Sequence, residues 1–68
     1  MGEERIGRCI KMAMIKADLD VIQLSERLGV THQTVYSYMK GKGITIKKLG
    51  EIADALDIDQ TELMSLAD

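Results

Sequence analysis

Sixty-eight residues, 46% of them hydrophobic and 29% charged, with a formal net charge of -2, suit one small domain over residues 1–68. Such a chain buries roughly 60% of its unfolded surface, is too apolar for the disordered class and is too short for a two-domain enzyme. One cysteine and one histidine leave no internal disulfide and no four-ligand zinc site, so neither metal nor cofactor is expected and packing alone must hold the fold.

Proline, phenylalanine and tryptophan are absent against five methionines, which favours aliphatic helices over a sheet and an all-α class. Ile6, Ile10, Ala13, Met14 and Ala17 recur at three- and four-residue steps, predicting a first helix over about 4–17. Asp20 and Gln23 then form a capping box that opens a second helix over about 21–28, with Leu24, Ser25 and Leu28 inward and Gly29 as its stop. Thr31 caps a third, over about 32–40, whose Val35, Tyr38 and Met39 keep the helical spacing. After Gly41-Lys42-Gly43, Thr45 opens a fourth over about 46–56, with Ile46, Leu49, Ile52, Ala53 and Leu56 on one face. Asp59 and Glu62 form a second capping box before Leu63, Met64 and Leu66, so a short fifth helix closes the fold.

Charge is segregated along these elements. Residues 1–16 carry +2, residues 17–30 carry -2, residues 31–48 carry +4 from Lys40, Lys42, Lys47 and Lys48, and residues 49–68 carry -6. The acidic total weighs mildly against nucleic acid, but the distribution of charge decides that question. No apolar run approaches the roughly 20 residues that cross a bilayer. The charged N-terminal residues lack a following apolar leader core, so a cytoplasmic location without a membrane partner is expected.

Two short helices joined by a glycine-containing turn, Gln23 to Tyr38, follow the plan of a DNA-binding helix-turn-helix. From Ile6 to Leu63 the chain resembles the phage repressor and Cro family, also called XRE or lambda-repressor-like. The residues that carry the resemblance are Ile6-Gly7-x-x-Ile10-Lys11, Leu24-Ser25-x-x-Leu28-Gly29-Val30-Thr31, Val35-x-x-Tyr38, Gly41-Lys42 and Leu49-x-x-Ile52-Ala53-x-Ala55-Leu56-x-Ile58. The resemblance implies a five-helix domain whose third helix enters the major groove of an operator in double-stranded DNA, with His32, Gln33, Thr34 and Ser37 facing base edges. Gln33 has the chemistry to pair with N6 and N7 of adenine, and Thr34 to touch a thymine methyl. His32 suits a guanine edge or a phosphate, or else stays solvated beside the cap. Lys40, Lys42, Lys47 and Lys48 fall where the family's loop after helix 3 meets the DNA backbone, either neutralising phosphates or simply solvating the surface.

Three positions depart from the family. Val21 stands where relatives carry a phosphate-binding glutamine, and Asp20 occupies the same helix end, so Val21 and Ile22 are expected to expose an apolar pair suited to a protein contact. Met14 and Met39 replace a buried ion pair together, which leaves no charge stranded. Tyr36 stands where relatives have a small or polar side chain. Its ring suits the sugar-phosphate backbone, a partner's side chain or the edge of helix 2.

No nucleophile set, carboxylate pair or metal-ligand cluster supports an enzyme. The leading expectation is a sequence-specific DNA-binding transcriptional regulator of phage or prophage type, short enough to lack a separate effector domain. The alternative is a protein-interaction module on the same fold, an antirepressor pairing with a repressor or an antitoxin masking a toxin. Ile58, Leu63, Met64 and Leu66 exceed what one face of a short helix can bury, so they are expected to form a weak homodimer interface, opposed by the acidic run from Glu51 to Asp68.

Overall fold

A computed structural model describes residues 2–66; Asp68, counted above in the acidic run, lies outside them. Five helices follow in order: α1 Gly2–Ala17, α2 Val21–Leu28, α3 His32–Met39, α4 Ile46–Ala55 and α5 Gln60–Ser65. The described residues contain no strand, so the all-α class holds. Helix α1 begins two residues before the position its periodicity predicts, while Lys40 and Leu56 act as caps of α3 and α4 instead of belonging to them.

Side chains suited to capping start four of the helices. Asp20 accepts from the Gln23 amide at 2.8 Å while the Gln23 side chain accepts from the Asp20 amide at 3.0 Å, closing the predicted box. Thr31, Thr45 and Asp59 accept from the amides of Thr34, Lys48 and Glu62 at 3.2, 3.1 and 2.8 Å. Each such bond satisfies an otherwise orphaned donor and contributes about 1 kcal/mol.

One device ends α1 to α4. Asp18, Gly29, Gly41 and Asp57 take left-handed backbone angles with φ of 57, 68, 81 and 60°. The amide of the next residue in each case returns to a carbonyl five residues back: Leu19 to Met14, Val30 to Ser25, Lys42 to Ser37 and Ile58 to Ala53, at 2.9 to 3.0 Å. Leu19, Val30 and Ile58 then fold onto the core, the apolar contact that accompanies this type of helix stop.

Cys9, Ile10, Leu24, Val35, Ile52 and Leu63, one or two from every helix, are fully buried in one contiguous core. Burying each large aliphatic among them stabilises the fold by about 1.5 to 3 kcal/mol. Helix α1 packs on α3 and α5, and α2 on α3 and α4. Met14 is buried and Met39 packs half-buried against the same core, so both positions of the missing ion pair are apolar and filled. Two expected core positions face water instead. Ile46 is 84% exposed because it is the first residue of α4, at the edge of the apolar stripe. Ala17, last in α1, is exposed and lines an open cleft.

Long side chains tie helix ends to this core. Arg5 Nη2 donates to the Met64 carbonyl at 2.7 Å, and Cys9 Sγ reaches the same oxygen at 3.5 Å. Arg27 Nη1 donates to the Ala55 carbonyl at 2.8 Å, placing a cation at the C-terminal end of α4, where the helix dipole favours it. Gly7 is buried where α1 meets the end of α3, and a Cβ there would run into the Met39 carbonyl oxygen and lie 2.9 Å from the Gly41 nitrogen.

The backbone geometry sets the sign of two substitutions. Alanine normally gains about 1 kcal/mol over glycine inside a helix, yet Gly7→Ala should destabilise the fold by about 1 to 3 kcal/mol because its obstacle is main chain. A rise in urea midpoint would contradict the close approach. Asp18→Gly should stabilise by about 1 kcal/mol by relieving a left-handed non-glycine residue and removing an acid from a helix C-terminus, read from the same titration; an unchanged midpoint would count against it.

Candidate nucleic-acid interface

Because Val35 and Tyr38 turn inward, helical geometry leaves Gln33, Tyr36, Ser37 and Lys40 as one outward stripe at positions i, i+3, i+4 and i+7. All four are exposed. Tyr36 keeps 54% of its surface and stands within the stripe, between Gln33 and Lys40, with most of its ring free. His32 is exposed on the flank of the helix. Thr34 lies on the other flank, half-buried, its hydroxyl 2.9 Å from that of Thr31. It is thereby partly committed to the start of the helix and set apart from Gln33.

The three-residue turn before α3 is held at both ends. Gly29 supplies the left-handed residue, Val30 packs on the core and Thr31 caps α3. On its far side the chain leaves α3 through Lys40 and the buried Gly41, and the Lys42 amide is fixed to the Ser37 carbonyl at 2.9 Å. Ile44 anchors the loop against the core, so Lys40, Lys42 and Lys47 project into water from a pinned backbone. Lys48 differs from them: its Nζ lies 3.2 Å from Glu51 Oε2 one turn along α4.

At the start of α2 the Asp20 carboxylate faces the helix amides. Val21 departs from its expected exposure. It is half-buried against the core because Val21, Leu24, Ser25 and Leu28 share one face at i, i+3, i+4 and i+7. Of the expected apolar pair only Ile22, 53% exposed, faces water. The buried Ser25 hydroxyl donates to the Ile22 carbonyl at 2.7 Å.

The expected homodimer residues also divide. Leu63 is fully buried and unavailable to a partner, since a helix as short as α5 must spend its central leucine on the core. Ile58 and Leu66 are half-buried against that core, and Met64 is half-buried with its carbonyl tied to α1. Met12 and Ile15 on α1 expose more apolar surface than any of these. Their spacing with Arg8 and Lys11, again i, i+3, i+4 and i+7, was available in the sequence as a second stripe opposite the core.

Among the described residues there is no group of three potential metal ligands and no helix long and apolar enough to cross a membrane. A family model described as helix-turn-helix matches residues 10–63. No curated protein and no solved structure matches the chain significantly.

The lysine geometry separates two substitutions. Lys42→Ala should flatten the dependence of log affinity on log salt by about one unit, the signature of one lost phosphate contact. Lys48→Ala should flatten it by clearly less, because Glu51 already neutralises that ammonium. Equal slopes for the two variants, measured by fluorescence anisotropy with a labelled duplex, would contradict the distinction.

Proposed function

The chain belongs to the XRE-type helix-turn-helix family of DNA-binding transcription regulators, and from that premise we propose that it is a sequence-specific regulator of phage or prophage Cro or repressor type. The observation that carries the proposal is the α3 stripe: Gln33, Tyr36, Ser37 and Lys40 take no part in the core and lead directly into the pinned cations Lys42 and Lys47. A helix seated in the major groove through such a stripe reads bases with its N-terminal half and meets phosphates beyond it.

In this reading Gln33 pairs with an adenine edge through its amide, and Ser37, one turn on, contacts the neighbouring base. His32 reaches a base edge or phosphate from the flank, and Thr34 offers its methyl to a thymine. Tyr36 lays its ring along the backbone beside Lys40, while Lys42 and Lys47 neutralise phosphates and Lys48 adds a weaker contact. One such helix covers only a few base pairs, so operator recognition uses two half-sites about one helical turn apart and two copies of the chain. In this reading the protein works in the cytoplasm. An antirepressor or antitoxin role has less to stand on, because Val21, half of the apolar pair that motivated it, serves the core.

Electrophoretic shifts on DNA upstream of its own operon, at low and at physiological salt, test the proposal. A discrete complex should survive physiological salt, and Gln33→Ala should lower its affinity by about 1 to 3 kcal/mol while binding to unrelated DNA is unchanged. Operator binding indifferent to Gln33→Ala would remove the base-reading role.

A further inference from the structure

Helix α1 carries two stripes. Ile6, Ile10, Ala13 and Met14 serve the core, while Arg8, Lys11, Met12 and Ile15 face water on the outer side. Ile15 is 73% exposed and Met12 48%, and with Leu66 these four residues line an open groove of about 360 Å³. Adjacent apolar side chains rimmed by charge on so small a chain mark an interaction site.

Charge and apolar surface together select what fits the groove. Its two charged residues, Arg8 and Lys11, are both cations, and among the described residues neither side chain has a hydrogen-bond or ion-pair partner. The surface turns anionic only past Ile15, at Asp18 and Asp20. A complementary occupant therefore brings carboxylates to the Arg8 and Lys11 end and apolar side chains to Met12, Ile15 and Leu66. A nucleic-acid backbone offers the charge but no apolar row to cover Ile15. The acidic segment of this chain does not supply both either. From Glu51 onward every described large apolar side chain is buried or half-buried, so a second copy would bring carboxylates without exposed apolar anchors. Arg8, Lys11, Met12 and Ile15 stand at i, i+3, i+4 and i+7, a row about 10 Å long that suits the same spacing on a helix laid into the groove.

We propose that the outer face of α1, with Leu66 as its wall, docks an acidic amphipathic helix of another protein. Aspartates or glutamates of that helix face Arg8 and Lys11, and its apolar side chains seat among Met12, Ile15 and Leu66. The groove shares no residue with the α3 stripe, so Gln33, Tyr36 and Ser37 stay free while the partner is held.

Titrating isotope-labelled protein with a synthetic helix tests the surface without DNA, so its outcome is independent of the DNA-binding reading. The helix has about five turns, enough to hold its form, with leucines at i, i+3 and i+7 and glutamates on their flank. Saturable amide shifts should fall on Arg8, Lys11, Met12, Ile15 and Leu66, and Ile15→Asp or Met12→Lys, both at solvent-facing positions, should raise the dissociation constant about tenfold or more. Exchanging the glutamates of the helix for lysines should abolish binding, and the double variant Arg8→Glu, Lys11→Glu should bind that lysine helix instead. Absence of saturable shifts, indifference to Ile15→Asp and Met12→Lys, or equal binding of the two helices would overturn the proposal. Shifts of the same amides with phosphatidylglycerol vesicles but not with the helix would assign the face to a lipid surface, and concentration-dependent shifts of the free protein without any response to the helix would assign it to a second copy; either result would overturn it.

Discussion

At Gly7 the backbone of α1 lies against the Met39 carbonyl and the Gly41 nitrogen, with no room for a single carbon atom between them. Main chain cannot yield as a side chain does, so this approach sets the distance between α1 and the end of α3. With α3 held there and Val35 and Tyr38 sealed inward, its outward stripe has one available direction. The same contact places Gly41, from which Lys42 is hung by its bond to Ser37. On the same stretch of α1, Arg5 and Cys9 hold the Met64 carbonyl of α5 against the helix. Helix α1 is thus the common reference for the reading helix and the closing helix.

Preorganisation of the α2 to α3 turn has the same origin in short-range geometry. Gly29 stops one helix in the left-handed conformation, Val30 packs on the core and Thr31 caps the next helix. Because the turn is ordered before any ligand arrives, little conformational entropy is lost when α3 meets DNA, and contact energy is retained as affinity. Charge segregation complements this arrangement. A chain whose net charge is -2 presents Lys40, Lys42 and Lys47 in water just beyond α3 and has no base after Lys48, so the global sign of charge is a poor guide to the surface a partner sees.

Local chemistry was legible in the sequence. The caps at Asp20, Thr31, Thr45 and Asp59, the stop at Gly29 and the inward positions of α2 and α3 follow from rules spanning three or four residues, and all appear in the structure. Positions whose fate depends on neighbouring helices were harder. Ile46 fits the α4 stripe by periodicity but stands at its edge and at the first residue of the helix. Leu63 belongs to a segment with surplus apolar residues, and nothing in the segment says which one the core will take. Val21 was assigned by comparison with a family position, although its spacing with Leu24, Ser25 and Leu28 already placed it on the buried face. The Lys48 to Glu51 pair could have been read from its three-residue spacing on α4. The groove at Met12 and Ile15 depends on where Leu66 comes to rest, a contact across more than fifty residues that no local pattern encodes.

Titrating isotope-labelled protein with an operator duplex and following backbone amide resonances shows directly whether the outward stripe of α3 and the loop after it are the DNA-reading surface. The largest shifts should fall on Gln33, Tyr36, Ser37, Lys40, Lys42 and Lys47, with Lys48 and the α2 amides behind Asp20 moving less. Shifts concentrated on α4 and α5, with those of α3 unmoved at saturating duplex, would place the surface elsewhere and contradict that assignment.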